Sequence, residues 1–239
     1  MKHLILSGCF WAIATVVLGG CGTPGSKSGG SGPHTWRPLS DGKTMSGWVQ
    51  TPFEDGGKVQ VQDGAFWIHA GDPLSGMHRP SLEGLETSDY EVEFEAQRAE
   101  GYDFFCALTF PVGQDFCTLV MGGWGGGVTG LSSLGGFDAA NNDTSVWFNY
   151  ENGRWYQVRL RVTRTRIGAW IDGEPVVDAA VSGRKIGIRI EVEPSRPFGI
   201  ATFSTTGGIR NIRIRKMKPD KAKRYAADVP GETAPLKTP

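Results

Sequence analysis

Residues 155–163 read WYQVRLRVT, and their two-residue alternation is the feature that most constrains the fold. Val158, Leu160 and Val162 fall on one side; Arg159, Arg161 and Thr163 fall on the other. Only an extended strand separates neighbouring side chains in that way. The pattern recurs. In YEVEFEAQ, Val92, Phe94 and Ala96 share one face and Glu91, Glu93 and Glu95 share the other. In IRIRKM, Ile212 and Ile214 oppose Arg213 and Arg215. AFWIHA, DFFCALTF, FCTLVM, TSVWFNY, RIGAWID, KIGIRIEV and GIATFS are short runs rich in the β-branched and aromatic residues that half-buried strands prefer. Turn dipeptides separate them: Asp-Gly at 63–64 and 172–173, Asn-Gly at 152–153, Ser-Gly at 182–183 and Gly-Gly at 207–208. No window of helical length carries a capped apolar stripe, and LEGLETSD has room for a single helical turn. The 35 glycines suit many tight turns and bulges. The sequence therefore predicts an all-β domain, a sandwich or a barrel.

The two ends differ from this middle. Lys2 and His3 precede a mostly apolar run, LILSGCFWAIATVVL, which is short for a membrane span and suits a secretory signal over residues 1–20. Leu18-Gly19-Gly20-Cys21 resembles a bacterial lipobox. That resemblance implies cleavage before Cys21 and attachment of a lipid to its thiol; the alternative is an ordinary signal with an incidental cysteine. Gly22 is not the aspartate that retains enterobacterial lipoproteins at the inner membrane, which favours the outer membrane. Residues 21–34 read as a flexible Gly/Ser tether, residues 35–217 as one domain with a real core, and residues 218–239 as a disordered tail. The expected location is the cell envelope, with membrane contact through the lipid anchor only. Charge is balanced at 25 basic and 25 acidic residues, so nothing points to nucleic acid.

Several phrases together resemble one exported bacterial family, the 3-keto-disaccharide hydrolases. They are WRPLSDGKTMSGW with VQDGAFWI behind it, GRWYQVRLRVTRTRIGAWIDGEPVVD, and FGIATFSTTGGIRNIRIRKM. The resemblance covers roughly residues 36–217. It implies a concanavalin A-like jelly roll of two antiparallel sheets, a carbohydrate as partner, and a glycosidase-type hydrolysis of 3-keto-glycosides. The alternative is a non-catalytic, lectin-like or envelope-interaction module. The chain departs from the family at two places. DFFCALTF stands where many members carry Asn-Ser-Gly-Ile, and Thr202 and Ser204 stand where many carry Gln and His in the penultimate strand.

Three groups of residues are candidates for chemistry. Glu91, Glu93 and Glu95 alternate on one strand, and i, i+2 spacing fits the carboxylate separations of glycosidases. The same row is expected to face Arg213 and Arg215, and a carboxylate beside arginine is a poor general acid. Trp67 and Trp155 sit in strands and are expected to pack in the core, whereas Trp124 stands among glycines in MGGWGGGVTG and suits stacking on a sugar ring. FDAANNDT follows, so Asp138 and Asn142, with Asp103 and Trp170, complete the expected binding edge; the alternative is a solvated turn with Asx caps. No cofactor is expected, although the oxygens of that loop suit Ca²⁺. Cys106 and Cys117 flank the PVGQ turn of an exported chain. A structural disulfide is expected there, with buried free thiols as the alternative; Cys-x-x-Cys redox spacing is absent. The histidines, at 3, 34, 69 and 78, are scattered, and no Gly-x-Ser-x-Gly elbow is present.

Overall fold

The computed structural model describes residue 32 and residues 34–227. The signal segment, Cys21, most of the tether and residues 228–239 lie outside the described residues. Fifteen strands follow one another: β1 (Arg37–Pro38), β2 (Val49–Gln50), β3 (Val59–Gln62), β4 (Ala65–Ile68), β5 (Leu74–Arg79), β6 (Tyr90–Glu100), β7 (Cys106–Val112) and β8 (Asp115–Gly122). Then come β9 (Val128–Ser132), β10 (Val146–Trp147), β11 (Trp155–Val162), β12 (Arg166–Ile171), β13 (Glu174–Ala180), β14 (Phe198–Phe203) and β15 (Thr206–Lys216). They form two sheets. The eight-stranded sheet runs β13-β12-β11-β6-β15-β4-β3, with β1 also on β15; the seven-stranded sheet runs β10-β9-β8-β7-β14-β5-β2. Both are antiparallel throughout. The fold is the expected all-β jelly-roll sandwich.

Alternation decides which side chains meet in the middle. Val158, Leu160 and Val162 of β11 and Val92, Phe94 and Ala96 of β6 are buried, as are Leu108, Phe110 and Leu119 of the facing sheet. Burying a Leu or Phe contributes about 1.5–3 kcal/mol, so the apolar half of each strand holds the two sheets together. The Asp63-Gly64 and Asp172-Gly173 hairpins have positive φ at both residues, as the tight turns of twisted strands require.

The structure corrects five expectations. Gly207-Gly208 is not a turn but lies inside β15. A Cβ on Gly207 would come within 2.4 Å of the Phe105 carbonyl oxygen, so glycine lets the strands approach there. KIGIRIEV is not a strand: its end enters a 3₁₀ turn, Ile190–Ser195, between Arg189 and the cis Arg196-Pro197 bond, with Pro194 inside. Trp67 and Trp155 pack edge-on at 5.9 Å on the outer face of the eight-stranded sheet, not in the core. The expected tail begins with a helix, Pro219–Ala227, whose Ala222 and Tyr225 are buried. These two residues, three apart, are its apolar stripe.

The fifth correction concerns Cys106 and Cys117, which are free and buried. The β7–β8 hairpin pairs Cys106 with Met121 and Cys117 with Phe110. The cysteines are thus four positions out of register, roughly 13 Å at strand spacing, beyond the 4.4–6.8 Å Cα separation of a disulfide. Burial pushes both thiols up, that of Cys117 to about 12. Iodoacetamide should leave both unmodified in the native protein at neutral pH and alkylate both after denaturation. A peptide mass showing a 106–117 bridge in unreduced protein would overturn the assignment.

Candidate functional site

The outer face of the eight-stranded sheet carries the alternating glutamates, and every one is held by cations. Glu91, whose side chain has no exposed surface, accepts from Arg161 Nε at 2.8 Å, Arg215 Nε at 2.7 Å and Lys221 Nζ at 3.0 Å. Burial by itself would raise the Glu91 carboxyl, but the hydrogen bonds from Lys221, Arg215 and Arg161 hold it below the usual carboxylate range. Arg213 donates twice to Glu93 Oε2, at 2.6 and 3.0 Å. Arg210 and Asn211 bind Glu95 and hold its carboxyl low against its burial. The arginine row of β15 therefore meets the glutamates as expected. A general acid must keep its proton near neutral pH, and this face holds Glu91 and Glu95 ionised. Trp170 also lies here, under the guanidinium groups of Arg159 and Arg161, 4.4 and 4.9 Å from its ring centre.

The outer face of the seven-stranded sheet is different. Its outward positions are small: Gly76, Ala107, Thr109, Thr118, Gly199 and Ala201. A cavity of about 260 Å³ sits on this face. Ala107, Thr118, Val120 and Ser132 form its floor. Phe104, Trp124 and Phe203 stand on one side, with the two Phe ring centres 5.6 Å apart. Arg189, Glu191 and Val192 of the 3₁₀ segment close the other.

Trp124 reaches the cavity from a backbone turn that few side chains tolerate. Its φ and ψ are 48° and 54°, a left-handed conformation that costs an L-residue roughly 1–2 kcal/mol. Gly122, Gly125 and Gly126, all at positive φ, surround it. Asp103 holds this turn: Oδ2 accepts the Gly125 N–H at 3.2 Å, and Oδ1 accepts the Phe104 N–H at 2.7 Å. Arg98 fastens it from below through the Gly126 carbonyl at 3.1 Å. Trp124 remains 40% exposed while its backbone is fixed.

The remaining expected residues have other work. Asp138 Oδ2 accepts from Arg189 Nη1 at 3.2 Å and so positions a wall of the cavity. Asn142 is a loop staple: its amide donates to the carbonyls of Leu131, Phe137 and Asp138, and its oxygen accepts from Thr144. Arg189 also holds the Glu191 carboxyl below its usual range. Thus Asp103, Trp124 and, through Arg189, Asp138 converge, whereas Glu91, Glu93, Glu95 and Trp170 lie on the opposite face of the sandwich. Among the described residues no three His, Cys, Asp or Glu side chains converge as a metal site would need.

Sequence reasoning missed Ser132, Arg189 and Glu191. The Ser132 hydroxyl is buried and has no hydrogen-bond partner among the described residues, yet it lines the cavity. A buried hydroxyl without a partner costs about 1–3 kcal/mol. The two departures from the family phrases also fall here. Asp103 and Phe104 line the cavity, and Ser204 follows Phe203 with its N–H on the carbonyl of Pro73, itself a lining residue.

The family model for the 3-keto-alpha-glucoside-1,2-lyase-like domain matches residues 35–215. Among solved structures, the apo Crh5 transglycosylase is similar at 14% identity and a TM-score of 0.52, over 79% of this chain and 86% of that one. A putative glycosyl hydrolase from Parabacteroides distasonis is similar at 12% identity and a TM-score of 0.50, over 77% and 94%. At such identities these likenesses speak for the fold. No curated protein matches the chain.

Proposed function

The chain belongs to the 3-keto-alpha-glucoside-1,2-lyase-like domain family, and from that premise we propose that it binds a saccharide ring in the cavity of the seven-stranded sheet without turning it over. The observation that carries this reading is the buried, partnerless Ser132 hydroxyl on the floor of a small cavity rimmed by Phe104, Trp124 and Phe203. An aromatic face takes the apolar side of a pyranose, and a few placed polar groups fix its hydroxyls. A volume of about 260 Å³ suits one ring rather than a chain.

The carboxylates argue against turnover. Elimination across C1 and C2 of a 3-keto-glycoside needs a base for the C2 hydrogen, which the ketone acidifies, and an acid for the departing oxygen. Both oxygens of Asp103 accept backbone N–H groups, and Asp138 and Glu191 are paired to Arg189. Carboxylate oxygens engaged by such donors are not aimed at a substrate hydrogen. Phe104 at the first divergent family phrase, and Thr202 and Ser204 in place of Gln and His at the second, point the same way. The second reading, turnover of a 3-keto-glycoside, is favoured by the family match itself.

Titration calorimetry with 3-keto-disaccharides and their parent sugars, with product analysis on the same samples, separates the two readings. The binding reading expects saturable heat and unchanged sugar. Trp124→Ala should weaken binding roughly tenfold, the loss of about 1–1.5 kcal/mol of aromatic contact. Unchanged affinity removes Trp124 from the site, and product formation favours the second reading.

The same proposal places the domain at the cell envelope on a lipid at Cys21, most simply at the outer membrane. Its support is the Leu18-Gly19-Gly20-Cys21 phrase. Among the described residues no helix is long and apolar enough to cross a membrane.

A further inference from the structure

The opposite face of the sandwich carries a second concavity, about 1000 Å³, over β11, β6 and β15. The loop through Asp41 and Lys43 walls it on one side and the β12–β13 hairpin tip at Gly173 on the other. Its floor is the middle of the charged ladder, and the side-chain pairing along that ladder leaves one cation over. Five arginines (Arg159, Arg161, Arg210, Arg213 and Arg215) face three glutamates. Glu91 takes Arg161 and Arg215, Glu93 takes Arg213, and Glu95 takes Arg210.

Arg159 is left over. It lies directly across from Glu93 in the β6–β11 register, but the Glu93 carboxylate turns to Arg213 on the other side. Its Nε is buried without a partner, and among the described residues its guanidinium makes no hydrogen bond or ion pair. Its plane is steadied by the Trp170 ring at 4.4 Å. Lys43 stands above the groove with an equally unpaired ammonium. Its neighbour Asp41 makes no ion pair with it: that carboxylate accepts the Lys43 and Thr44 N–H groups and the Thr44 hydroxyl, and stays a negative charge at the rim. A half-buried guanidinium with an open fork is suited to take a carboxylate.

We infer that this groove binds an acidic saccharide, a uronate residue whose carboxylate docks on Arg159 while its hydroxyls meet Gln157 and Asn211. The amide of Gln157 lines the groove, and Asn211, at φ 57° in the β15 bulge, gives its N–H to Glu95 and keeps its oxygen to accept. The groove crosses the middle of a sheet whose backbone groups are already paired between strands. A peptide would find no edge to extend there, whereas sugar hydroxyls need only side-chain partners. This site shares no lining residue with the cavity of the other sheet.

Tri-galacturonate and neutral tri-galactose are titrated calorimetrically into the purified protein at low and at physiological salt. The acidic trimer should bind and the neutral one should not, with affinity falling as salt rises. Arg159→Gln should weaken binding roughly tenfold or more, the worth of a charge-assisted pair. Lys43→Gln, on an exposed side chain, should weaken it severalfold with the fold untouched, and Arg159→Lys should restore part of the loss. Trp124→Ala should leave the trimer's affinity unchanged, so failure here is distinct from failure of the cavity proposal. Equal binding of the neutral trimer, or no effect of either charge variant, overturns the inference. Tighter binding of a poly-glutamate peptide at the same residues would reassign the groove to an acidic protein.

Discussion

Glu91→Gln should lower the free energy of unfolding by about 3–5 kcal/mol, the cost of stranding buried charge when one member of an ion-pair cluster is removed. The side chain is wholly buried and lies between Arg161 on β11 and Arg215 on β15, with Lys221 of the C-terminal helix closing over it. Glutamine keeps the shape but leaves three cations around a neutral amide. The loss should be read from urea denaturation, with Lys43→Gln as a surface control that changes little. The effect should also depend on pH in one direction. Because the folded Glu91 carboxyl lies below its ordinary value of 4.5, its contribution is present above that value and is lost as pH falls through the folded one. The gap between wild type and variant should therefore be full near neutrality and close in acid. A gap that persists unchanged in acid would show that Glu91 acts through packing and not through charge.

Ala107→Phe should abolish saccharide binding, by about a hundredfold or more, while the protein still unfolds cooperatively. Ala107 is one of the small outward residues that make the cavity, opposite Val120 on β8 and Ala201 on β14. A phenyl ring there projects away from the core and into the space a pyranose would fill. Overpacking against Val192 costs something of the order of 1–3 kcal/mol, which the transition midpoint will report separately. Binding that survives the substitution places the ligand elsewhere on the molecule.

The sequence made the eight-stranded sheet legible and the functional cavity largely illegible, for one physical reason. In β6, β11 and β15 apolar and charged residues alternate, so face, partner and even the Glu–Arg pairing follow from a period of two. The seven-stranded sheet is buried on both faces over much of β7, where all seven residues are buried. Such strands carry no alternation to say which side chains face out. Its cavity is made by what is missing, the small side chains of Ala107, Thr118 and Ser132, and absence of bulk has no sequence period. Arg189 and Glu191 were hidden because KIGIRIEV alternates like a strand, although Pro194 and Pro197 just beyond it forbid one in the middle of a sheet. The cysteines misled because the PVGQ turn does not fix the register of the strands around it. The hairpin turns at Gly113 and Gln114, so Cys106 and Cys117 point to the same side but four positions apart. Trp124 was legible because a tryptophan held among glycines has neither strand nor core to serve.

The central claim is that the cavity holds a sugar ring and leaves it intact. NMR of a ¹³C-labelled 3-keto-disaccharide mixed with the protein tests it most directly. The account predicts saturable broadening and shifts of one ring's resonances, lost with Ala107→Phe, and a spectrum of the sugar that is unchanged after prolonged incubation. Resonances of a free aglycone sugar growing with time, or identical shifts with Ala107→Phe, would contradict it.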